Sequence, residues 1–234
     1  MKNIIRSLCI TAALVCSSPI DASESPLINS LQPGEISWQQ NVKGSKGLLK
    51  KTSDDRLESP KSCPGKYKRI LISGDKSGSQ ATGVWRFSVS IKPLADFSKK
   101  SNPAMYVRLF VPEGEDQQMM AVRINLKNDG SIEFIGQETV TCLQQDGSPL
   151  IMEKGNVYRC DVEVNFEEGK FVAKVNGVKV GNQEFAIKDT KLPYVGGIQF
   201  NTRLCEDYLP FAFLDIKLSS GEASSKGLDY AQGE

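Results

Sequence analysis

The 234-residue chain contains no histidine. That absence excludes Ser-His-Asp and Cys-His nucleophile machinery, an HExxH zinc site and any imidazole switch near neutral pH. Charge of one sign is lacking too: 29 Lys+Arg stand against 28 Asp+Glu. A positive surplus that would call for nucleic acid or an anionic membrane is therefore missing, and no nucleic-acid partner is expected. No CxxC pair occurs, which leaves zinc ribbons and thioredoxin-like chemistry without their spacing. Long apolar runs are absent as well, and no transmembrane segment is expected, because a span needs about 20 apolar residues.

The one short apolar run lies at the start. Met1-Lys2 and Arg6 are basic, Leu8 to Val15 is apolar, and small residues come next. Residues 1–22 therefore read as a secretory signal peptide, cleaved after Ala22 or earlier after Ser17, and the chain as secreted or periplasmic. Ala13-Leu14-Val15-Cys16 loosely resembles a bacterial lipobox, which leaves a lipid anchor through Cys16 as a lesser alternative. Cys9 and Cys16 fall in this leader. Cys63, Cys142, Cys160 and Cys205 remain, an even number that suits two disulfides in an oxidising compartment, in any of three connectivities.

Residues 23–64 are mixed and polar and read as an irregular leader with one or two short strands, packing on the main domain. From residue 65 to 219 apolar residues recur at every second position, with turn chemistry every 8 to 12 residues or so. Trp85, Phe87, Val89 and Ile91 oppose Arg86, Ser88, Ser90 and Lys92, and Val122, Ile124 and Leu126 oppose Arg123 and Asn125. Tyr158, Cys160, Val162, Val164 and Phe166 oppose Asp161, Glu163 and Asn165. Asn128-Asp129-Gly130, Glu168-Gly169 and Asn176-Gly177 are the turns, the last the strongest hairpin signal because both residues tolerate positive φ. This pattern predicts an all-β sandwich of two antiparallel sheets with about ten to eleven strands. It leaves room for short helical turns near 92–99 and 206–209. Residues 220–234 are too polar to bury and read as a disordered tail.

The order in the second half has a recognisable shape. A long strand over 157–166 precedes the hairpin around Val175-Asn-Gly-Val178; then come Gly196-Gly-Ile-Gln-Phe200 and a closing Phe213-Leu-Asp-Ile-Lys-Leu218. It resembles the concanavalin A-like lectin/glucanase superfamily, especially its laminin-G-like and bacterial extracellular branches. The resemblance implies a jelly roll of two curved sheets whose concave face often holds sugar. It also implies terminal strands lying side by side. Cys142 and Cys160, on apolar faces of sequence-neighbouring strands, would then form one staple, and Cys63 would pair with Cys205 near the closing strand.

Three constellations carry candidate chemistry. Asp161 and Glu163 alternate on one strand face, about 6.5 to 7 Å apart, a separation at which paired carboxylates cleave glycosides. Retaining glucanases of the superfamily carry an E-x-D-x-E strand there, whereas this chain has Asp161, Glu163 and the amide Asn165. Tyr194-Val-Gly-Gly-Ile-Gln199 resembles the YxAGxYxQ strand of alginate lyases, but Gln199 stands where the catalytic tyrosine would be. The second constellation is a binding platform: Tyr106, Phe110 and Phe213 as aromatic surfaces, with Arg108, Arg123 and Asn125 as hydrogen-bond partners. The third is the acidic loop Glu113-Gly-Glu-Asp116, which offers oxygens to a structural calcium; no other cofactor is implied. The leading expectation is a secreted, non-catalytic domain that recognises carbohydrate, a polysaccharide or glycoprotein glycan, or another extracellular ligand. The alternatives are a polysaccharide hydrolase or lyase using Asp161 and Glu163, and a structural or adhesive envelope protein.

Overall fold

The computed structural model describes residues 25–29, 37–39, 48–53, 56–65, 69–73, 81–98, 102–112 and 119–221. The stretch read as a signal peptide, the acidic loop and nearly all of the C-terminal tail lie outside these residues. In chain order, the first strands are β1 (Ser25–Asn29), β2 (Ser37–Gln39), β3 (Lys50–Ser53), β4 (Arg56–Glu58) and β5 (Arg69–Ser73). The central strands are β6 (Val84–Pro93), β7 (Pro103–Val111), β8 (Val122–Lys127), β9 (Ile132–Ile135), β10 (Thr139–Thr141) and β11 (Tyr158–Asn165). The last are β12 (Lys170–Val175), β13 (Val178–Lys179), β14 (Phe185–Ala186), β15 (Gly197–Thr202) and β16 (Phe211–Gly221).

Two antiparallel sheets result. The nine-stranded sheet runs β13-β12-β11-β6-β16-β4-β3, with β1 also on β16 and β14 on β12. The seven-stranded sheet runs β10-β9-β8-β7-β15-β5-β2. The chain passes between layers from β5 to β6 to β7, and again from β14 to β15 to β16, wrapping as a jelly roll does. The expected all-β sandwich is present. Its described strands number sixteen, more than the alternation predicts, because several are only two or three residues long and too short to show a period. The stretch read as an irregular leader supplies four of them. β1 and β4 pair with β16, β3 pairs with β4, and β2 pairs with β5.

Alternation decides which side chains meet between the layers. Trp85, Phe87, Val89 and Ile91 of β6 face Val107, Leu109, Ile124, Phe134 and Phe200 in one continuous core. Asn176 (φ 51°) and Gly177 (φ 81°) make the β12–β13 turn in the left-handed geometry that the dipeptide predicts. Among the described residues the helical turn is Cys205–Asp207, close to the 206–209 expectation; β6 and an irregular segment occupy 92–98.

Two positive-φ residues break the alternation. Phe110 has φ 58°, and there the β7–β15 register slips so that Gly197 faces Val111 while Ile198 faces Leu109. Asp215 has φ 49°, where the β16–β6 register jumps between Leu214 and Lys217. A bulge turns one extra residue and restores the inward face beyond it. Phe110 thereby points into the core, and Ile216 and Leu218 join Phe211 and Phe213 there. Asp215 suits its position, since its carboxylate accepts a hydrogen bond from Ser90 Oγ (3.2 Å) and short polar residues tolerate this conformation.

The Cys63–Cys205 bridge forms as expected, across a Cα–Cα distance of 5.3 Å. The Cys142–Cys160 staple does not: both are free, buried thiols. Cys160 lies within β11, between Val89 and Val175 of the nine-stranded sheet, whereas Cys142 comes just after β10 of the other sheet. Neighbours in sequence are thus in different layers, and although Cys142 is near enough to raise the charge cost of the Cys160 thiol, shared inward parity does not join them. Burial pushes the Cys142 thiol up to about 11 and raises that of Cys160 further. A thiolate-directed reagent at pH 8 should therefore label neither in the native state. In a chain with only the four cysteines from Cys63 onward, two thiols should appear on unfolding without reductant; zero would mean that the staple exists.

Candidate functional site

Two outer sheet faces carry polar side chains in ordered rows. On the seven-stranded sheet, the β15–β7–β8–β9 register aligns Gln199, Arg108, Arg123 and Ile135 in one row. Asn201, Tyr106, Asn125 and Glu133 form the next. Four of the six expected platform residues, Tyr106, Arg108, Arg123 and Asn125, therefore converge on one patch. The other two do not. Phe110 is fully buried, edge-on to Trp85 (6.2 Å between centroids) and Phe166 (5.9 Å). Phe213 is fully buried beside Phe200 (4.7 Å) and Phe211 (6.3 Å). Both are core residues and offer no platform.

Within the patch, the Tyr106 ring lies under two cations, with Arg108 Cζ 5.3 Å and Arg123 Cζ 5.4 Å from its centroid. Each contact is attractive by roughly 0.5 to 2 kcal/mol. The two arginines are directly opposite in the β7–β8 register, a pairing that like charges disfavour. Burial, and then the neighbouring Arg108 charge, hold the Arg123 guanidinium below its ordinary pKa. Asn125, only 4 % exposed, donates to Glu133 Oε2 (3.3 Å), and Lys127 Nζ donates to Glu133 Oε1 (2.8 Å). Asn201 Nδ2 donates to Gln199 Oε1 (3.2 Å). Three buried atoms of the patch are left without a hydrogen-bond partner: Arg108 Nε, Arg123 Nε and Asn125 Oδ1.

Gln199, Asn201 and Glu133 are not among the expected site residues. A signal for the first two exists in Gly197-Ile-Gln-Phe-Asn-Thr202, where amides alternate with Ile198 and Phe200. Their burial at 7 % and 4 % exposure is a property of the assembled sheet that no periodicity conveys.

No protein-family model matches the sequence, and no curated protein sequence matches it. Solved structures do resemble it. Arcelin-5, a lectin-like defense protein from Phaseolus vulgaris, is 11 % identical with a TM-score of 0.54, over 86 % of this chain and 98 % of that one. A mutant of Trypanosoma rangeli sialidase displaying trans-sialidase activity is 9 % identical with a TM-score of 0.54, over 87 % of this chain and 32 % of that one. The botulinum neurotoxin serotype G binding domain is 10 % identical with a TM-score of 0.52, over 82 % and 45 %. The likeness is one of fold. The chain is a two-sheet β-sandwich that spans about a third of the sialidase and under half of the toxin domain.

The second polar face belongs to the nine-stranded sheet. An open groove of about 360 Å³ lies across β12, β11, β6 and β16, lined by Asp161, Glu163, Arg86, Arg159, Lys174 and Lys217 among others. Asp161 and Glu163 thus sit in a cleft, on the outer face that parity predicts. Each is already engaged: Arg159 Nε donates to Asp161 Oδ1 (3.0 Å) and Oδ2 (3.2 Å), and Arg86 Nε donates to Glu163 Oε2 (2.8 Å). Asn165 Oδ1 accepts from the backbone N–H groups of Glu167 and Glu168 (both 3.1 Å), an amide holding the turn into β12.

Proposed function

We propose that this chain is an exported, non-catalytic carbohydrate-recognition protein whose binding face is the outer side of the seven-stranded sheet around Tyr106. One observation carries the reading: two buried guanidinium Nε groups and one buried amide oxygen lack partners beside a partly exposed aromatic ring. An unsatisfied buried polar group costs about 1 to 3 kcal/mol. Three gathered in one patch are the arrangement of a site that a polyhydroxylated ligand completes, its hydroxyls taking donors and acceptor while its ring packs on Tyr106. The similar folds of a lectin-like defense protein, a sialidase and a toxin binding domain support the same class of role. The Cys63–Cys205 disulfide and the leader-like start of the sequence support export.

The hydrolase or lyase reading has the groove over Asp161 and Glu163 in its favour. Against it, both carboxylates are committed to arginines, so neither is placed as a free acid or nucleophile. A glycan array probed with the protein tests the binding reading. Binding to a defined subset is expected, weakened about tenfold or more by Tyr106→Ala and unchanged by Asp161→Asn with Glu163→Gln. Retention of no glycan, or loss of binding only in the carboxylate variant, would overturn it.

A further inference from the structure

We propose that the Tyr106 face selects acidic saccharides, seating a sugar-borne anion between Arg108 and Arg123; the proposal rests on the carbohydrate-binding reading of that face. The charges in the patch do not balance. Arg108 and Arg123 face each other across β7 and β8, and Arg203 adds to the positive field at Arg123. The nearby carboxylate that answers positive charge, Glu133, is held by Lys127 at 2.8 Å and by Asn125 at 3.3 Å. Among the described residues, neither Arg108 nor Arg123 forms an ion pair.

Two cations held face to face without a counter-ion cost stability. The fold tolerates them partly through the Tyr106 ring, whose quadrupole attracts both. An anion arriving between them would remove the repulsion, and a turn of either side chain toward it would bring out an Nε–H that is buried and without a partner. A guanidinium presents its N–H groups as a planar fork, which matches a carboxylate in two parallel hydrogen bonds. A neutral sugar satisfies donors but leaves the charge unanswered. Asn125 Oδ1, buried and without a donor, is then the acceptor for a hydroxyl on the same ring, so the patch reads an acid and an alcohol together.

The test uses the whole chain and three immobilised or titrated probes: an oligogalacturonate, its fully methyl-esterified counterpart, and a sulfated neutral oligosaccharide. The oligogalacturonate should bind, should weaken as salt rises, and should lose roughly 10- to 100-fold on esterification, the range of a charged hydrogen bond. The sulfated probe binding as well or better would identify sulfate as the source of the same anion. Arg123→Gln should abolish the acid preference while leaving the melting temperature equal or higher, because it removes the opposed charge. Arg108→Gln is the second variant, should the first fail to fold. Equal binding of ester and acid would overturn the acid preference and leave the carbohydrate reading standing. Failure of all three probes, together with an empty glycan array, would remove both.

Discussion

Replacing Cys63 and Cys205 together with serine is expected to destabilise the protein by about 3 to 5 kcal/mol. The bridge joins positions 142 residues apart, and the entropy that a cross-link removes from the unfolded chain grows with the logarithm of that loop, reaching about 5 kcal/mol at this length. A domain of ordinary stability, about 5 to 15 kcal/mol, would lose a large share. Local bonds already seat the joined segments. Ser59 Oγ donates to Phe211 O (3.0 Å) and accepts from Phe211 N (2.7 Å), Tyr208 Oη donates to Pro60 O (2.6 Å), and Thr202 Oγ1 donates to Gly65 O (3.1 Å). The bridge therefore adds its constraint where native contacts already hold the chain. Urea unfolding of the native and doubly substituted proteins gives the difference. A loss below about 1 kcal/mol would show that residual structure in the unfolded chain already keeps these positions close.

Period-two alternation makes most of this sandwich readable, because a strand with one wet face must write its burial into every second residue. β11 and β12 keep that pattern along their whole length, whereas β6 and β8 keep it in residue type while Ser88, Ser90 and Asn125 on their outer faces are buried too. The N-terminal strands are less legible, since β2 and β4 span three residues each and owe their existence to the strands they join. The Cys63–Cys205 pairing follows from the fold resemblance, which sets terminal strands side by side, and not from the cysteine spacing, which leaves three connectivities open. Parity misleads for Cys142 and Cys160, because it places a side chain inward but says nothing about which layer it belongs to.

The candidate site is half legible for a related reason. Tyr106, Arg108, Arg123 and Asn125 share a face because β7 and β8 are regular between residues 105 and 109 and between 122 and 126. Counting through a bulge misplaces Phe110 and Phe213. At Asp215 the residue type gives some warning, since Asp enters the left-handed region more readily than most. At Phe110 it gives none: a phenylalanine at φ 58° is held there by its ring's contacts with Trp85 and Phe166, which exist only once both sheets are assembled.

That strained position yields the second large effect. Phe110→Ala should destabilise the protein by about 3 to 5 kcal/mol, the usual cost of removing a fully buried aromatic ring. Alanine keeps the Cβ that makes positive φ costly, so it loses the ring and retains the backbone strain. Phe110→Gly loses the same ring but relieves the strain, since glycine enters this region freely. The glycine variant should then be no less stable than the alanine one, the reverse of the order expected at an ordinary strand position, where glycine is about 0.5 to 1 kcal/mol worse. Tyr106→Ala, on the outer face of the same strand, should cost less, about 1 to 2 kcal/mol, since its ring is partly exposed and the loss is chiefly its attraction for two arginines. Chemical unfolding of the three variants separates the tyrosine and phenylalanine roles. If Phe110→Ala proved mild and alanine outranked glycine there, the bulge would not exist and Phe110 would belong to the outer face after all. If instead the glycine variant matches or exceeds alanine, the inward turn at residue 110 is what leaves Tyr106 as the single aromatic surface between the two arginines.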